Sequence, residues 1–382
     1  MLGAYLRSRQ GTGASSHEDK TMSDASTKHM ITEYMEEASA PMFLSGFFQS
    51  PPRNFHTTEK IEIDVLRDEE EIAVVITDLS ADARSNESTL YTNKGFTPPI
   101  FKEEGAINAY KLIKRRAGED PFQDPDFGSN ALDESFTIFR RLDRKIRRSV
   151  ELMASQVLQT GKLTLIDNAG VELYALDFQP KSTHMVTTGT TWHTAGTSGD
   201  PLADLASLAE VVRRDGKKQP NKLLFGTSAL SRFLANANVK ERLDNRAMQL
   251  GSIAPESRGQ GATFQGWVWI GHYKFEIWMY DGFYKHPQTG TLTPYIDTDN
   301  VIMTSDGARL DLSYGAIPRI TGPEARALPF LPPRMSSSEA GLDLTTNAWI
   351  TPNGETLMVS AGTRPLTIPT AIDTFGRLNV TA

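Results

Sequence analysis

The strongest pattern in the chain lies between residues 132 and 157. Leu132, Phe136, Phe139, Leu142, Ile146, Val150, Met153 and Val157 recur at spacings of three and four, which lines them up on one stripe of an α-helix. The stripe predicts a helix of about eight turns, with Asp133 and Glu134 at its positive end and Gly161 ending it. Burying most of those side chains stabilises the fold by roughly 10 kcal/mol or more, so this helix is a main axis of the molecule.

The stretch before it carries a different period. Ile61, Ile63 and Val65 alternate with Glu62 and Asp64, as in a half-buried strand. The acidic run Asp68-Glu69-Glu70-Glu71 interrupts, and the apolar pattern resumes from Ile72 to Ile76. From Thr77 to Ala106 no period is sustained, and Pro98-Pro99 breaks the chain. Ile107 to Ile113 then reads as a strand that alternates Tyr110 and Leu112 with basic residues. Loops inside compact domains mostly run ~4–6 residues. An excursion this long is expected to serve a function or a partner. At the start, Met1 to Thr27 is polar and has little to bury. A short helix is expected over Lys28 to Ala38, followed by an aromatic cluster at Met42-Phe43-Leu44 and Phe47-Phe48.

Beyond the long helix, Leu163 to Ile166 and Val171 to Phe178 form a hairpin around Asp167-Asn168-Ala169-Gly170. Met185 to Asp200 reads as a Thr- and Gly-rich loop, and Asp200-Pro201 caps a helix over Leu202 to Arg213. A buried strand is expected at Leu223 to Gly226, helices at Ser228 to Asn236 and Val239 to Asn245, and strands within Phe264 to Tyr284 and at Val301 to Met303. Pro318 to Pro333 is dense in turns, and Glu355 to Val359 and Leu366 to Val380 are closing strands. The class is α+β: one long helix, a β-excursion before it and a mixed domain after it.

Composition narrows the chemistry. The chain has 382 residues, more than one ordinary core holds. Its hydrophobic fraction is 39%, which suits a flat or elongated subunit that borrows burial from neighbours, and equally a compact hydrophilic enzyme. The formal charge of −7 argues against a dedicated nucleic-acid binder. It is compatible with a container whose wall lets packaged DNA slide. The absence of cysteine excludes disulfides, thiolate nucleophiles and common structural zinc sites, and it points to synthesis in a reducing cytoplasm. No apolar run reaches the ~18 residues of a membrane span, and Met1 to Asp19 lacks the apolar core of a signal peptide. A protein neither exported nor membrane-bound is expected.

The seven histidines are scattered, and no Gly-x-Ser-x-Gly elbow occurs. Asp297-Thr298-Asp299 with Asp306-Gly307 fails the calcium-loop pattern, because Val301 and Ile302 stand where a ligand and a glycine are needed. No catalytic, cofactor or metal residue is assigned, and no enzyme activity is expected. The long helix carries Arg140, Arg141, Arg144, Lys145, Arg147 and Arg148 on a basic face. Such a face is either solvated or set against acids of a neighbouring subunit, with DNA as a third option. The candidate inter-subunit residues are Asp68, Glu69, Glu70, Glu71, Arg84 and Lys94 on the excursion and Arg140, Arg144 and Arg148 on the helix.

Several motifs in order resemble the coat protein family of phage lambda. They are Phe47-Phe48, Phe55-His56-Thr57-Thr58-Glu59-Lys60, Phe96-Thr97-Pro98, Arg115-Arg116 with Glu119-Asp120-Pro121, Trp192 leading to Asp200-Pro201, Val239-Lys240-Glu241-Arg242-Leu243-Asp244 and Asp299-Asn300-Val301-Ile302-Met303. The resemblance runs from about Phe43 to the C-terminus and implies the Hong-Kong-97-type capsid fold. It divides the chain into an N-terminal arm (1–45), an extended β-hairpin loop with its flanks (46–126), a peripheral domain with the spine helix and a hairpin (127–195), an axial domain (196–345) and closing strands (346–382). The polar arm before Lys28 departs from the family's pattern, and no crosslinking motif is found.

The implied function is a major capsid protein that self-assembles, as hexamers and pentamers, into the icosahedral head around double-stranded DNA, with no sequence-specific contact. It would be made and assembled in the host cytoplasm and reside in the virion, where decoration and scaffolding proteins are possible further partners. Two other readings stay open at this point: a tail-tube or head-completion ring, and a two-domain cytoplasmic enzyme. No cofactor is expected.

Overall fold

The computed structural model describes residues 43–58, 60–65, 92–113, 127–192, 199–243, 251–257, 261–317 and 343–381. The helix expected at Lys28 to Ala38, the resumed strand at Ile72 to Ile76 and the turns at Pro318 to Pro333 lie outside the described residues.

The long helix spans Phe127–Thr160. Gly161 ends it in the left-handed region with φ 64°, where a side chain would be strained. The helix starts earlier than the apolar stripe suggested, so Asp133 and Glu134 sit beyond its first turn rather than at its end. The buried line also departs from the stripe. Leu142, Ile146, Val150, Met153 and Val157 are buried, but nearer the start Ser135 and Ile138 are buried while Leu132, Phe136 and Phe139 are only half-covered. The reason is a change of partner along the helix. The first half of the helix meets a small sheet and the second half a larger core, and the two contact lines do not coincide.

The two halves of this helix have different surroundings. The first half is amphipathic and packs on a three-stranded antiparallel sheet ordered Thr345–Ile350, Thr356–Thr363, Phe101–Asn108. Ile138, Leu142 and Ile146 meet Ile107, Ala348, Val359 and Ala361 there. The second half is enclosed on nearly every side, and from Val150 to Gln159 only Leu152 and Gln156 are not fully buried. A helix buried all round belongs to the centre of a core.

That core lies against a mixed seven-stranded sheet ordered Met185–Thr187, Gly376–Asn379, Asn300–Thr304, Lys222–Phe225, Tyr273–Tyr280, Ala262–Ile270, Gly251–Ser257. Alternation along its central strands sorts side chains between two layers. Leu224 and Ile302 face the long-helix core. Leu223, Phe225, Val301 and Met303 face helices Pro201–Gly216 and Thr227–Ala235. With both faces covered, all five residues of Asn300–Thr304 are buried. The helix cap forms as expected, with Leu202 N donating to Asp200 Oδ1 at 3.0 Å.

Three other expectations change. Ile107 to Ile113 is not a strand: the strand is Phe101–Asn108, and Ala109–Ile113 is helical. Asn108 Oδ1 accepts from Tyr110 N at 2.9 Å, a side-chain cap that turns the chain. The segment Met185 to Asp200 is not all loop, because Met185–Thr187 pairs in parallel with Gly376–Asn379 and Trp192 is fully buried. Trp192 Nε1 donates to Asp204 Oδ2 at 2.8 Å. Leu366 to Val380 is two strands in different sheets, since Pro365–Pro369 pairs with Leu310–Tyr314 while Gly376–Asn379 enters the large sheet.

The excursion leaves the body as an antiparallel ladder of Ile61–Val65 with Thr92–Phe96, joined to no further strand among the described residues. Its return, Phe101–Asn108, lies on the chain's own three-stranded sheet. The hairpin Lys162–Ile166 with Glu172–Asp177 forms as expected.

Candidate assembly surfaces and the buried polar line

The basic residues of the long helix do two different jobs. Arg140, Arg144 and Arg148 are exposed. Four-residue spacing sets them along one line ~12 Å long at 1.5 Å per residue. Within the chain, Arg144 Nε donates to Arg140 O at 3.1 Å. Arg141 is exposed as well, while the remaining two members pair with acids of the body. Lys145 bridges to Glu103 on the neighbouring sheet at 2.6 Å. Arg147 makes a two-pronged pair with Asp343, Nη1 to Oδ1 at 2.8 Å, and sits 3.3 Å from Asp143. The single basic face expected over 140–148 is therefore split, and Arg147 is removed from it. Burial raises the Asp143 carboxyl above its usual range, with Arg147 opposing that shift.

Of the other candidate contacts, Lys94 lies on the strand Thr92–Phe96, in register with Ile63. Asp68, Glu69, Glu70, Glu71 and Arg84 lie outside the described residues.

The residues that organise the interior were missed by reading apolar periodicity. Asp143, Arg147, Glu151, Ser155 and Gln159 follow one another at steps of four and form a continuous polar line down the long helix. Its lower half runs through the core: Glu151 is 0% exposed, Ser155 1% and Gln159 8%. Each is satisfied by backbone far away in sequence. Glu151 Oε1 accepts from Leu44 N at 2.7 Å and Oε2 from Ser45 N at 2.8 Å. The same carboxylate accepts from Tyr280 Oη at 2.8 Å. Ser155 Oγ donates to Tyr295 O. Gln159 Nε2 donates to Tyr295 O at 2.8 Å, while its Oε1 accepts from Asp297 N and Asn300 Nδ2, each at 2.9 Å.

The line thus fastens the entering N-terminal segment, the large sheet and the 295–300 loop to one axis. Burial raises the Glu151 carboxyl above the usual range, while the backbone donors of Leu44 and Ser45 pull it back. Burial and the adjacent carboxylate push the Tyr280 hydroxyl up. The signal that could have found this line is the lone acid Glu151 in the otherwise uncharged run from Ser149 to Thr160.

A second polar joint ties helix Pro201–Gly216 to the segment behind the hairpin. His184 is buried, with Nδ1 2.9 Å from Phe375 O and Nε2 3.4 Å from Asp215 Oδ2. Lys181 Nζ donates to the same carboxylate at 2.9 Å and, with Arg214 and His184, holds Asp215 down at about 2. The helix end approaches closely enough that a Cβ on Gly216 would stand 2.4 Å from Asp373 O.

Among the described residues no group of three or more His, Asp or Glu is placed to hold a metal. Asp299 faces Arg232 at 3.5 Å, and Asp306 bridges to Lys222. Among the described residues no helix is long and apolar enough to cross a membrane. The surface instead exposes large apolar side chains. Val171 and Leu173 stand near the tip of one hairpin, and Phe283 and Leu292 on the small sheet Phe283–Lys285 with Leu292–Pro294. Exposed apolar side chains grouped on projecting hairpins suit contact with other chains.

This architecture is shared with known structures. A protein assigned as the capsid protein of a prophage in E. coli CFT073 superposes with a TM-score of 0.62 at 18% identity, over 92% of this chain and 98% of that one. A phage-related protein of Bordetella bronchiseptica RB50 is a looser likeness, with a TM-score of 0.47 at 10% identity over 90% and 93% of the two chains. The fold is α+β, of the Hong-Kong-97 capsid type. No curated protein matches the sequence.

The family model described as phage major capsid protein E matches residues 29–380, and the chain belongs to that family. It is a shell-forming capsid protein, a component of the virion that assembles from many copies of itself. The match begins just after the polar stretch that departs from the lambda pattern.

Proposed function

We propose that this chain builds the icosahedral head of a lambda-like tailed phage. Its copies associate as hexamers and pentamers around double-stranded DNA, in the host cytoplasm, and its role is structural rather than catalytic. The observation that carries the assembly reading is the exposed line Arg140, Arg144 and Arg148, on the same helix whose Arg147 turns inward to Asp343. A neighbour's acidic run Asp68-Glu69-Glu70-Glu71 is the partner of opposite charge, and Arg84 and Lys94 bring basic groups to the same excursion. Each exposed pair stabilises by only ~0.2–1 kcal/mol. Repetition around a closed, symmetric shell adds such contacts together. The net charge of −7 favours weak contact with the packaged DNA.

In this reading the arm is 1–45, the extended loop 46–126, the peripheral domain 127–195, the axial domain 196–345, and the closing strands 346–382. Decoration and scaffolding proteins are possible further partners of the outer and inner surfaces.

The ladder Ile61–Val65 with Thr92–Phe96 supplies a clean test, because residues 66–91 can be replaced by a two-residue turn without touching it. The shortened chain is expected to keep its circular dichroism spectrum and thermal midpoint yet to sediment as small species. The parent chain should give closed shells by electron microscopy. Normal shells from the shortened chain would refute the role given to the loop.

A further inference from the structure

Two short hairpins stand side by side on the surface and expose unlike patches. Their turns touch, since a Cβ on Gly170 would stand 2.4 Å from the Gln288 side chain. On the first hairpin, the register of Lys162–Ile166 with Glu172–Asp177 skips Leu173, a bulge of the kind that re-aims a side chain. Leu173 is 70% exposed, and Val171 and Glu172 beside it are exposed as well. On the second, Tyr284 turns inward, its ring 5.2 Å from Tyr295, so alternation sends Phe283 and Lys285 outward. Leu292, directly opposite Lys285, is 75% exposed.

Each patch is thus a pair of large apolar side chains around one charge, negative on the first hairpin and positive on the second. Among the described residues Glu172 and Lys285 form no ion pair, whereas Lys162 and Asp177 at the base of the first hairpin pair at 2.9 Å. Like does not fit like: two first hairpins would bring Glu172 to Glu172, and two second ones Lys285 to Lys285. The unlike pair joins opposite charges. Both turns are closed by their own hydrogen bonds, Val171 N to Asp167 Oδ1 at 3.0 Å and Gly290 N to His286 O at 2.9 Å. Hairpins ordered in advance lose little freedom on docking.

We propose that the first hairpin of one copy docks on the second hairpin of the next, with Val171 and Leu173 against Phe283 and Leu292, and Glu172 against Lys285. Because the two patches adjoin on each chain, a rotation axis near the joint of Gly170 and Gln288 repeats the contact from copy to copy and closes it. Two apolar side chains from each copy cover far less than the ~800 Å² per partner of a stable pair of free proteins. The contact therefore holds inside an assembled particle and not between free chains, and in this it rests on the shell reading above.

The chain has no cysteine, so single replacements report without background. Chains carrying Leu173→Cys or Phe283→Cys are assembled alone and together, and the particles are treated with a short thiol-specific cross-linker. Mixed particles should give dimers on a denaturing gel, several-fold above either chain alone. Equal dimers from one chain alone would overturn the proposal by pairing like with like. No dimers in any sample would overturn it by leaving the hairpins apart. Electron microscopy of the same particles before linking reports on the shell itself, so that shells without mixed dimers sink this contact and nothing else. Charge reversal guards against a contact weakened by the cysteines. Glu172→Lys and Lys285→Glu should each lower the particle yield several-fold, and the double variant should restore most of it. A double variant that assembles no better than either single one would overturn the pairing.

Discussion

Two polar lines run along the same helix, and they differ in almost every physical respect. Arg140, Arg144 and Arg148 are exposed and of one sign, while Glu151, Ser155 and Gln159 are buried and matched group by group. The buried line gains little in net hydrogen-bond energy, but it would lose much if any member were cut, because each orphaned donor inside a core costs ~1–3 kcal/mol. The exposed line costs nothing to leave solvated. Its value appears only when another surface arrives. One helix thus carries both the joints of the subunit and, in the reading proposed, a surface that joins subunits, and the two are separable by mutation.

The sharpest break should come from Glu151→Ala. Leu44 N, Ser45 N and Tyr280 Oη would lose their shared acceptor, for an expected loss of ~3 kcal/mol or more in urea unfolding. Glu151→Gln keeps one acceptor oxygen and should lose less. A loss under ~1 kcal/mol for Glu151→Ala would mean that water replaces the carboxylate and the clamp is weak. Gln159→Leu should follow at ~1–3 kcal/mol, since Asp297 N and Asn300 Nδ2 would lose their acceptor.

The Asp215 joint adds a pH test. Its carboxyl is held at about 2 against an ordinary 3.8. A lowered folded-state value means that the stability it contributes is present above pH about 4 and lost as pH falls through about 2. Asp215→Asn should therefore lower the thermal midpoint at neutral pH, and its gap from the parent should close over that acid window. A gap that stays constant with pH would exclude an ionic role. Smallest of all on stability are Arg140→Ala, Arg144→Ala and Arg148→Ala, each expected within ~0.5 kcal/mol of the parent.

What was legible in the sequence follows the same division. The hairpin around Asp167 to Gly170, the Asp200 cap and the Gly161 stop are settled by neighbours in sequence, and all three form as read. The buried line was not legible because its partners are distant: Leu44 lies 107 residues from Glu151, and Asp297 lies 138 from Gln159. Apolar periodicity also hid it, since a search for Leu and Val at three-and-four spacing passes over a polar residue that tertiary partners make buriable. Arg147 was misplaced for the same reason, because the acid that turns it inward, Asp343, is 196 residues away. The strand expected at Ile107 to Ile113 gave way to a local cap on Asn108, a signal that was present and went unread. Of the contact residues expected on the helix, Arg140, Arg144 and Arg148 are exposed.

The account rests on the exposed line acting between copies and not within one. The direct measurement is the triple charge reversal Arg140→Glu, Arg144→Glu, Arg148→Glu, examined by thermal unfolding and by sedimentation of the same sample. The expected result is a thermal midpoint near the parent's together with loss of shell-sized particles. Shells that form as readily as the parent's, from a subunit carrying three acids in place of three arginines, would contradict it.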